Sequence, residues 1–138
     1  KSKTMDRIEV VDAEWSSPTY APALAQATRK VVHGALSHHL SPSSSPSPQS
    51  GEGEGRAFGI YHRTNDGACT WYGFARVILD TIGWKGVLVP VPASRFPRAA
   101  VRPAYASLAT TKLPPMRGWE TALQEYLKNF QYQISNTQ

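Results

Sequence analysis

Residues 70–91, TWYGFARVILDTIGWKGVLVPV, decide how the rest of the chain is read. Trp71, Phe74, Ala75, Ile78, Leu79 and Ile82 recur at three- and four-residue spacing, the period that places side chains on one face of a helix. Thr70 stands directly before them, where a hydroxyl oxygen can accept from an early backbone N–H and cap the helix. Gly83 supplies the stop. The period then changes. Val87 to Val91 is β-branched and short, and Pro90 and Pro92, which cannot donate to a ladder, place that strand at a sheet edge. Cys69, at the head of the helix, is expected to have a lowered thiol pKa because the helix dipole favours thiolate. With no basic neighbour in sequence, it is assigned no catalytic role.

Working outward, Ile8 to Val11 reads as a strand and Trp15-Ser16-Ser17-Pro18 as a turn. A helix follows, with Leu24, Ala27, Thr28, Val31 and Ala35 on one face and Pro22 in its first turn, where a missing N–H costs nothing. Its end is expected near His33-Gly34. From Ser41 to Gly55, twelve of fifteen residues are Ser, Pro or Gly, so this stretch is read as a disordered insert within a domain. Phe58 to His62 is a strand candidate and Asn65-Asp66-Gly67 a turn. Residues 93–115 are irregular and basic. Trp119, Ala122, Leu123, Tyr126, Leu127 and Phe130 then mark a last amphipathic helix, expected to dock on the sheet. The fold expected is a small α/β domain of α+β character, with a short mixed sheet and roughly three helices. It occupies residues 1–138 apart from the insert at 41–55.

The chain's 138 residues bound one modest domain. No apolar run reaches the ~20 residues of a membrane span, and the first residues lack a secretory signal, so a cytoplasmic protein with no membrane partner is expected. A single cysteine excludes an internal disulfide and a cysteine-based zinc site. The start at Lys1 instead of methionine leads to the expectation of a fragment or processed product. Fifteen Lys and Arg stand against ten Asp and Glu, and residues 56–138 hold ten of the basic and four of the acidic groups. Within them Arg95, Arg98 and Arg102 are interleaved with Phe96, Pro97 and Pro103. That spacing suits a pocket better than a polyanion-binding tail, and no nucleic-acid signature is present.

No nucleophile elbow, metalloprotease helix or phosphate-binding glycine loop occurs, so no catalytic, cofactor-binding or metal residue is assigned. His38-His39 reads as a solvated pair, His33 as a helix-end residue and His62 as a hydrogen-bonded structural residue. What the sequence does offer are holding segments. Ser16 to Tyr20 precedes a helix N-terminus, where hydroxyls and backbone N–H groups favour an anion. Arg102-Pro103-Ala104-Tyr105 sets a guanidinium on a stiffened backbone beside a ring able to stack on a base or sugar. The candidate binding residues are therefore Pro18, Thr19, Tyr20, Arg102 and Tyr105, around a nucleotide or phosphosugar.

Four segments in this order, VVDAEWSSPTYAPALA, FGIYHRTNDGACTWYGFARVIL, VLVPVPASRFPRAAVRPAYASL and LPPMRGWETALQEYL, closely resemble the C-terminal half of the dTDP-4-dehydrorhamnose reductase family. The resemblance covers nearly all of the chain outside the 41–55 insert and the ends. It implies the smaller, substrate-binding part of an extended short-chain dehydrogenase/reductase. The intact family reduces the C4 ketone of dTDP-4-dehydro-L-rhamnose with NAD(P)H to give dTDP-L-rhamnose. Carried over by motif, Arg102 of R-P-x-Y would lie at the diphosphate of a dTDP-sugar, Pro18 and Thr19 in the turn bordering the pocket, and Tyr105 beside it. The family's glycine-rich loop is absent, and no tyrosine is followed four residues later by lysine. No cofactor is therefore expected in this chain, which should be inactive alone and in need of a Rossmann domain from the same or another chain. Exposed faces that would meet that domain suggest self-association. A non-catalytic interaction or regulatory module on the same fold, as in the regulatory subunit of methionine adenosyltransferase, is the alternative. Ser16, Ala106, Ala109 and Arg63 depart from the family's usual residues, Arg63 standing where an apolar residue is common.

Overall fold

The computed structural model describes residues 6–39 and 60–135, with side chains described for 6–34 and 60–130. The 41–55 insert, with Phe58 and Gly59, lies outside the described residues. Strand β1 (Arg7–Val11) is followed by the short β2 (Trp15–Ser16) and helix α1 (Ala21–His39). The second half runs β3 (Cys69–Thr70), α2 (Trp71–Thr81), β4 (Val87–Val91), a single 3₁₀ turn at Ala93–Arg95, and α3 (Trp119–Ser135).

Parallel and antiparallel pairing both occur, each in its own two-stranded unit. β1 and β4 run parallel in the register Arg7↔Val87 to Val11↔Val91. Bonds from Val87 N–H to the Asp6 carbonyl and from Asp12 N–H to the Val91 carbonyl extend the ladder at its two ends. Among the described residues β4 has β1 as its single strand partner, in keeping with Pro90, which lacks one donor. β2 and β3 pair antiparallel, Trp15 with Thr70 and Ser16 with Cys69.

Helix α2 starts as its sequence requires. The Thr70 Oγ1 accepts from Gly73 N–H at 3.0 Å and donates to the Asp12 carboxylate, so one hydroxyl caps the helix and ties it to the residue after β1. The helix ends at Thr81, and Gly83, just past the Ile82 cap, turns the chain away with a left-handed φ of +69°. It touches β1, β3, β4 and α3. Its apolar stripe is only partly covered: Trp71 and Ile82 are half exposed, and Phe74, Val77 and Ile78 pack against the buried cluster of Cys69, Trp119, Leu123 and Leu127. The stripe of α3 therefore docks chiefly on α2 and Cys69, where docking on the sheet was expected. The five-residue ladder is too small to cover it.

Two further expectations are corrected. Helix α1 runs through His33 and Gly34 to His39. Gly34 does not have a left-handed φ, and a Cβ there would meet nothing, so it is an ordinary helical residue and carries only glycine's modest propensity cost. Ile60 to His62 form no strand. Tyr61 and His62 lie beside residues 110–112 instead, Thr110 donating to the His62 carbonyl and Lys112 standing over the Tyr61 ring. No described helix is long and apolar enough to cross a membrane.

Candidate functional site

The stretch expected to turn at Trp15–Pro18 is instead the middle of three extended segments. One edge pairs with β3; the other meets residues 104–106, where Trp15 N–H donates to the Ala104 carbonyl at 2.8 Å and Ala106 N–H to the Trp15 carbonyl at 2.9 Å. The Ser17 and Ser107 hydroxyls, 2.6 Å apart, continue the contact. This ribbon brings together residues far apart in sequence. Glu14, only 8 % exposed, meets Arg98 Nη1 at 2.6 Å and Arg102 Nη1 at 4.0 Å. A buried carboxylate demands such partners, because desolvation without pairing is costly. Two guanidiniums around one carboxylate leave a net positive charge. Arg102 is the outer of the two, with its side chain 56 % exposed, and a guanidinium carries five donors in a planar fork. On the same ribbon Tyr105 and Trp15, 66 % and 44 % exposed, lean together with ring centres 6.4 Å apart at 31°. An exposed cation and an exposed aromatic pair are thus carried by one ribbon, Arg102 three residues before Tyr105.

Pro18, Thr19 and Tyr20 continue from the ribbon into the wall of a cavity of ≈ 680 Å³ whose other walls are Phe74, Trp119 and Tyr126. From sequence, the hydroxyls of this turn are expected to face an anion. The structure spends them internally: Thr19 Oγ1 donates to the Ser17 carbonyl at 3.1 Å and the Ser17 hydroxyl meets Ser107. The cavity is accordingly a mainly apolar groove. Tyr20 packs edge-on to Tyr126, which stacks on Phe130, and its backbone N–H donates to Asn65 Oδ1 at 2.8 Å. Asn65 is fully buried and donates through Nδ2 to the Arg117 carbonyl at 2.9 Å, so one amide clamps the 18–20 turn to the loop entering α3. Asp66 bridges to Gly118 beside it, and Gly67, at φ +87°, lies under the Trp119 indole.

The five candidate residues thus fall in two neighbouring places: Arg102 and Tyr105 on the ribbon, Pro18 to Tyr20 on the groove, joined through Ser17 and Ser107. Three residues that organise them were not singled out from sequence as parts of a site. Trp15 and Glu14 have an alternation signal, since neighbours on an extended segment face opposite sides. Asn65 has none beyond its turn composition.

Cys69 corrects the expectation of an activated thiol. It is buried, and desolvation, reinforced by the Glu120 charge, pushes its pKa up to about 11. At neutral pH it behaves as a small apolar core residue. His33 lies within α1, not at its end, and the His62 side chain is exposed. Among the described residues no group of three His, Cys, Asp or Glu side chains could hold a metal ion. β1 leads directly to β2, and the turn from β3 into α2 is closed by the Thr70 side chain.

Such a molecule is a small α/β domain, with two short two-stranded units and three α-helices among its described residues. Comparison with known proteins narrows the class: residues 1–132 match the profile of the RmlD substrate binding domain, and the chain belongs to that family. It is 30 % identical over 131 residues to the spore coat polysaccharide biosynthesis protein SpsK of Bacillus subtilis, covering 92 % of this chain and 38 % of that one. It is 31 % identical to a dTDP-4-keto-6-deoxy-D-glucose reductase of Streptomyces niveus, covering 87 % of this chain and 36 % of the relative. Among solved structures, the fold matches a dTDP-4-dehydrorhamnose reductase of Clostridium acetobutylicum with a TM-score of 0.73 at 28 % identity, over 94 % of this chain and 40 % of that one. A Bacillus anthracis dTDP-4-dehydrorhamnose reductase, solved in complex with NADP, matches with a TM-score of 0.69 at 26 % identity, over 89 % and 38 %. The chain therefore spans about two fifths of the length of the relatives it matches.

Proposed function

We propose that this chain is the sugar-nucleotide-holding part of a reductase that converts dTDP-4-dehydro-L-rhamnose to dTDP-L-rhamnose. The observation that carries the reading is the ribbon itself: Arg102, half exposed and 4.0 Å from the buried Glu14 carboxylate, stands three residues before Tyr105, whose exposed ring pairs with Trp15. A forked cation with aromatic faces on the same ribbon suits a diphosphate attached to a base and a sugar. Pro18, Thr19 and Tyr20 then border the sugar end, and the apolar groove behind them suits a wall of the companion Rossmann domain, from the same or another chain. The cofactor NAD(P)H belongs to that companion. When bound there it supplies the hydride; the residues described here bind and orient the sugar nucleotide. No catalytic proton donor is assigned among them.

Titration of the full 138-residue chain with dTDP-L-rhamnose, read by tryptophan fluorescence and calorimetry, tests the reading. Saturable binding is expected, weakened about tenfold by Arg102→Ala, the scale of one charge-assisted hydrogen bond. Absence of saturation into the millimolar range, or an Arg102→Ala variant that binds like the parent, overturns it.

A further inference from the structure

We propose a second anion site, in the basic cleft between α1 and the loop that enters α3, which takes a tetrahedral oxyanion such as inorganic phosphate or a phosphomonoester. The cleft has a volume of ≈ 470 Å³, and its charged lining is Lys30, Arg63, Arg117 and Glu125. Three positive groups against one negative leave a charge of +2, matched to a dianion. The single carboxylate is already engaged, since Glu125 pairs with Arg117. Lys30 and Arg63 have no carboxylate partner among the described residues.

Two of the cations are held in place before any ligand arrives. Arg63 donates through Nη1 to the Pro114 carbonyl, and its Nε is buried with no hydrogen-bond partner among the described residues. The guanidinium is thus anchored at one end while most of its donors have no acceptor among the described residues. Arg117 is fixed by Glu125 and by the Tyr20 ring, 5.6 Å from its guanidinium carbon. Cations fixed in advance lose little side-chain entropy on binding, which separates this cleft from a set of solvated lysines. The site shares no cation with the Arg102 ribbon. Tyr20 is common to the cleft and the apolar groove and stands as a wall between them.

The test is a titration of the full chain with sodium phosphate at constant ionic strength, read by amide ¹H–¹⁵N shifts, with chloride and acetate as parallel arms. Phosphate is expected to move signals around residues 26–30, 63 and 115–117 along saturating curves, acetate more weakly and chloride not at all. Arg63→Gln and Lys30→Gln should each weaken phosphate binding about tenfold, and Arg102→Ala should leave it unchanged. Lys30 is exposed on α1, so its variant keeps the test valid if Arg63→Gln unfolds. Non-saturating shifts, equal shifts with chloride, insensitivity to Lys30→Gln, or loss on Arg102→Ala would each overturn the proposal. A phosphomonoester such as O-phosphoserine that binds more tightly than phosphate identifies the wider ligand; equal binding identifies free phosphate.

Discussion

Asn65→Ala is the most informative single change. Asn65 is completely buried and makes two bonds to backbone groups in segments 45 and 52 residues away, accepting from Tyr20 N–H and donating to the Arg117 carbonyl. Each such bond is worth about 1 kcal/mol net, and each backbone group left without a partner adds a desolvation penalty of similar size, so the loss is about 2–4 kcal/mol. Against a total stability of about 5–15 kcal/mol this is a large fraction. With a urea m-value of about 1–3 kcal/mol/M, the unfolding midpoint should fall by about 1–2 M, and the Tyr20 amide should lose its hydrogen-exchange protection. Asn65→Asp adds a signed test. It keeps the acceptor for Tyr20 but turns an oxygen toward the Arg117 carbonyl, and burial favours its protonated form, which can donate there. Its folded pKa is therefore raised above the unfolded value, so the variant is most stable at low pH and loses stability as pH rises through the raised pKa. A midpoint shift below about 0.3 M for Asn65→Ala, with Tyr20 protection intact, would refute the clamp.

Gly67→Ala should destabilise by about 1–2 kcal/mol, because a side chain at φ +87° is strained and its Cβ would sit 3.0 Å from the Trp119 ring; equilibrium unfolding measures this. Thr70→Ala should lose about 1 kcal/mol with the cap of α2, and Thr70→Ser should recover most of it, a rescue that distinguishes capping from packing. Cys69, its pKa raised from 9.0 to about 11, carries about a hundredfold less thiolate near pH 8 than an unshifted thiol, so iodoacetamide should label it slowly when folded and readily in urea. Because that folded pKa is raised, the stability it contributes is present below pH 9 and is lost as pH climbs toward 11.

Features written in local sequence were legible. The Thr70 cap, the stripe of α2, the Gly83 stop and strand β4 depend on neighbours a few residues away, and all stand where the spacing puts them. The errors share a non-local cause. Gly34 looks like a stop until one sees that nothing forces it into a left-handed turn. Trp15–Pro18 has turn composition, yet β3 and residues 104–107 pair with it on both edges and draw it into an extended ribbon. Cys69 has the position of an activated thiol, but the residues that bury it come from α2 and α3. In the candidate site, Arg102 and Tyr105 were visible as a motif; the carboxylate that steadies Arg102 is 88 positions earlier, and no spacing rule connects the two.

The same non-local bonds explain how so lightly packed a domain keeps a defined surface. Among the described residues, the buried apolar set is small, four of its members forming one cluster under α2, while large side chains such as Trp15, Trp71 and Tyr126 remain about half exposed. Packing of that extent fixes α2 against α3 and meets the ribbon through Cys69, but it does not by itself set the ribbon's far edge or the 18–20 turn. These are placed by the three buried polar residues, Glu14, Asn65 and Thr70, each of which bonds to a segment distant in sequence. Directional bonds that are costly to leave unmade specify position better than apolar contact does. The arrangement suits a domain whose apolar groove is proposed to be covered by a companion. Its binding residues can be held in register by polar clamps before that cover arrives, and the remaining apolar surface stays available for docking.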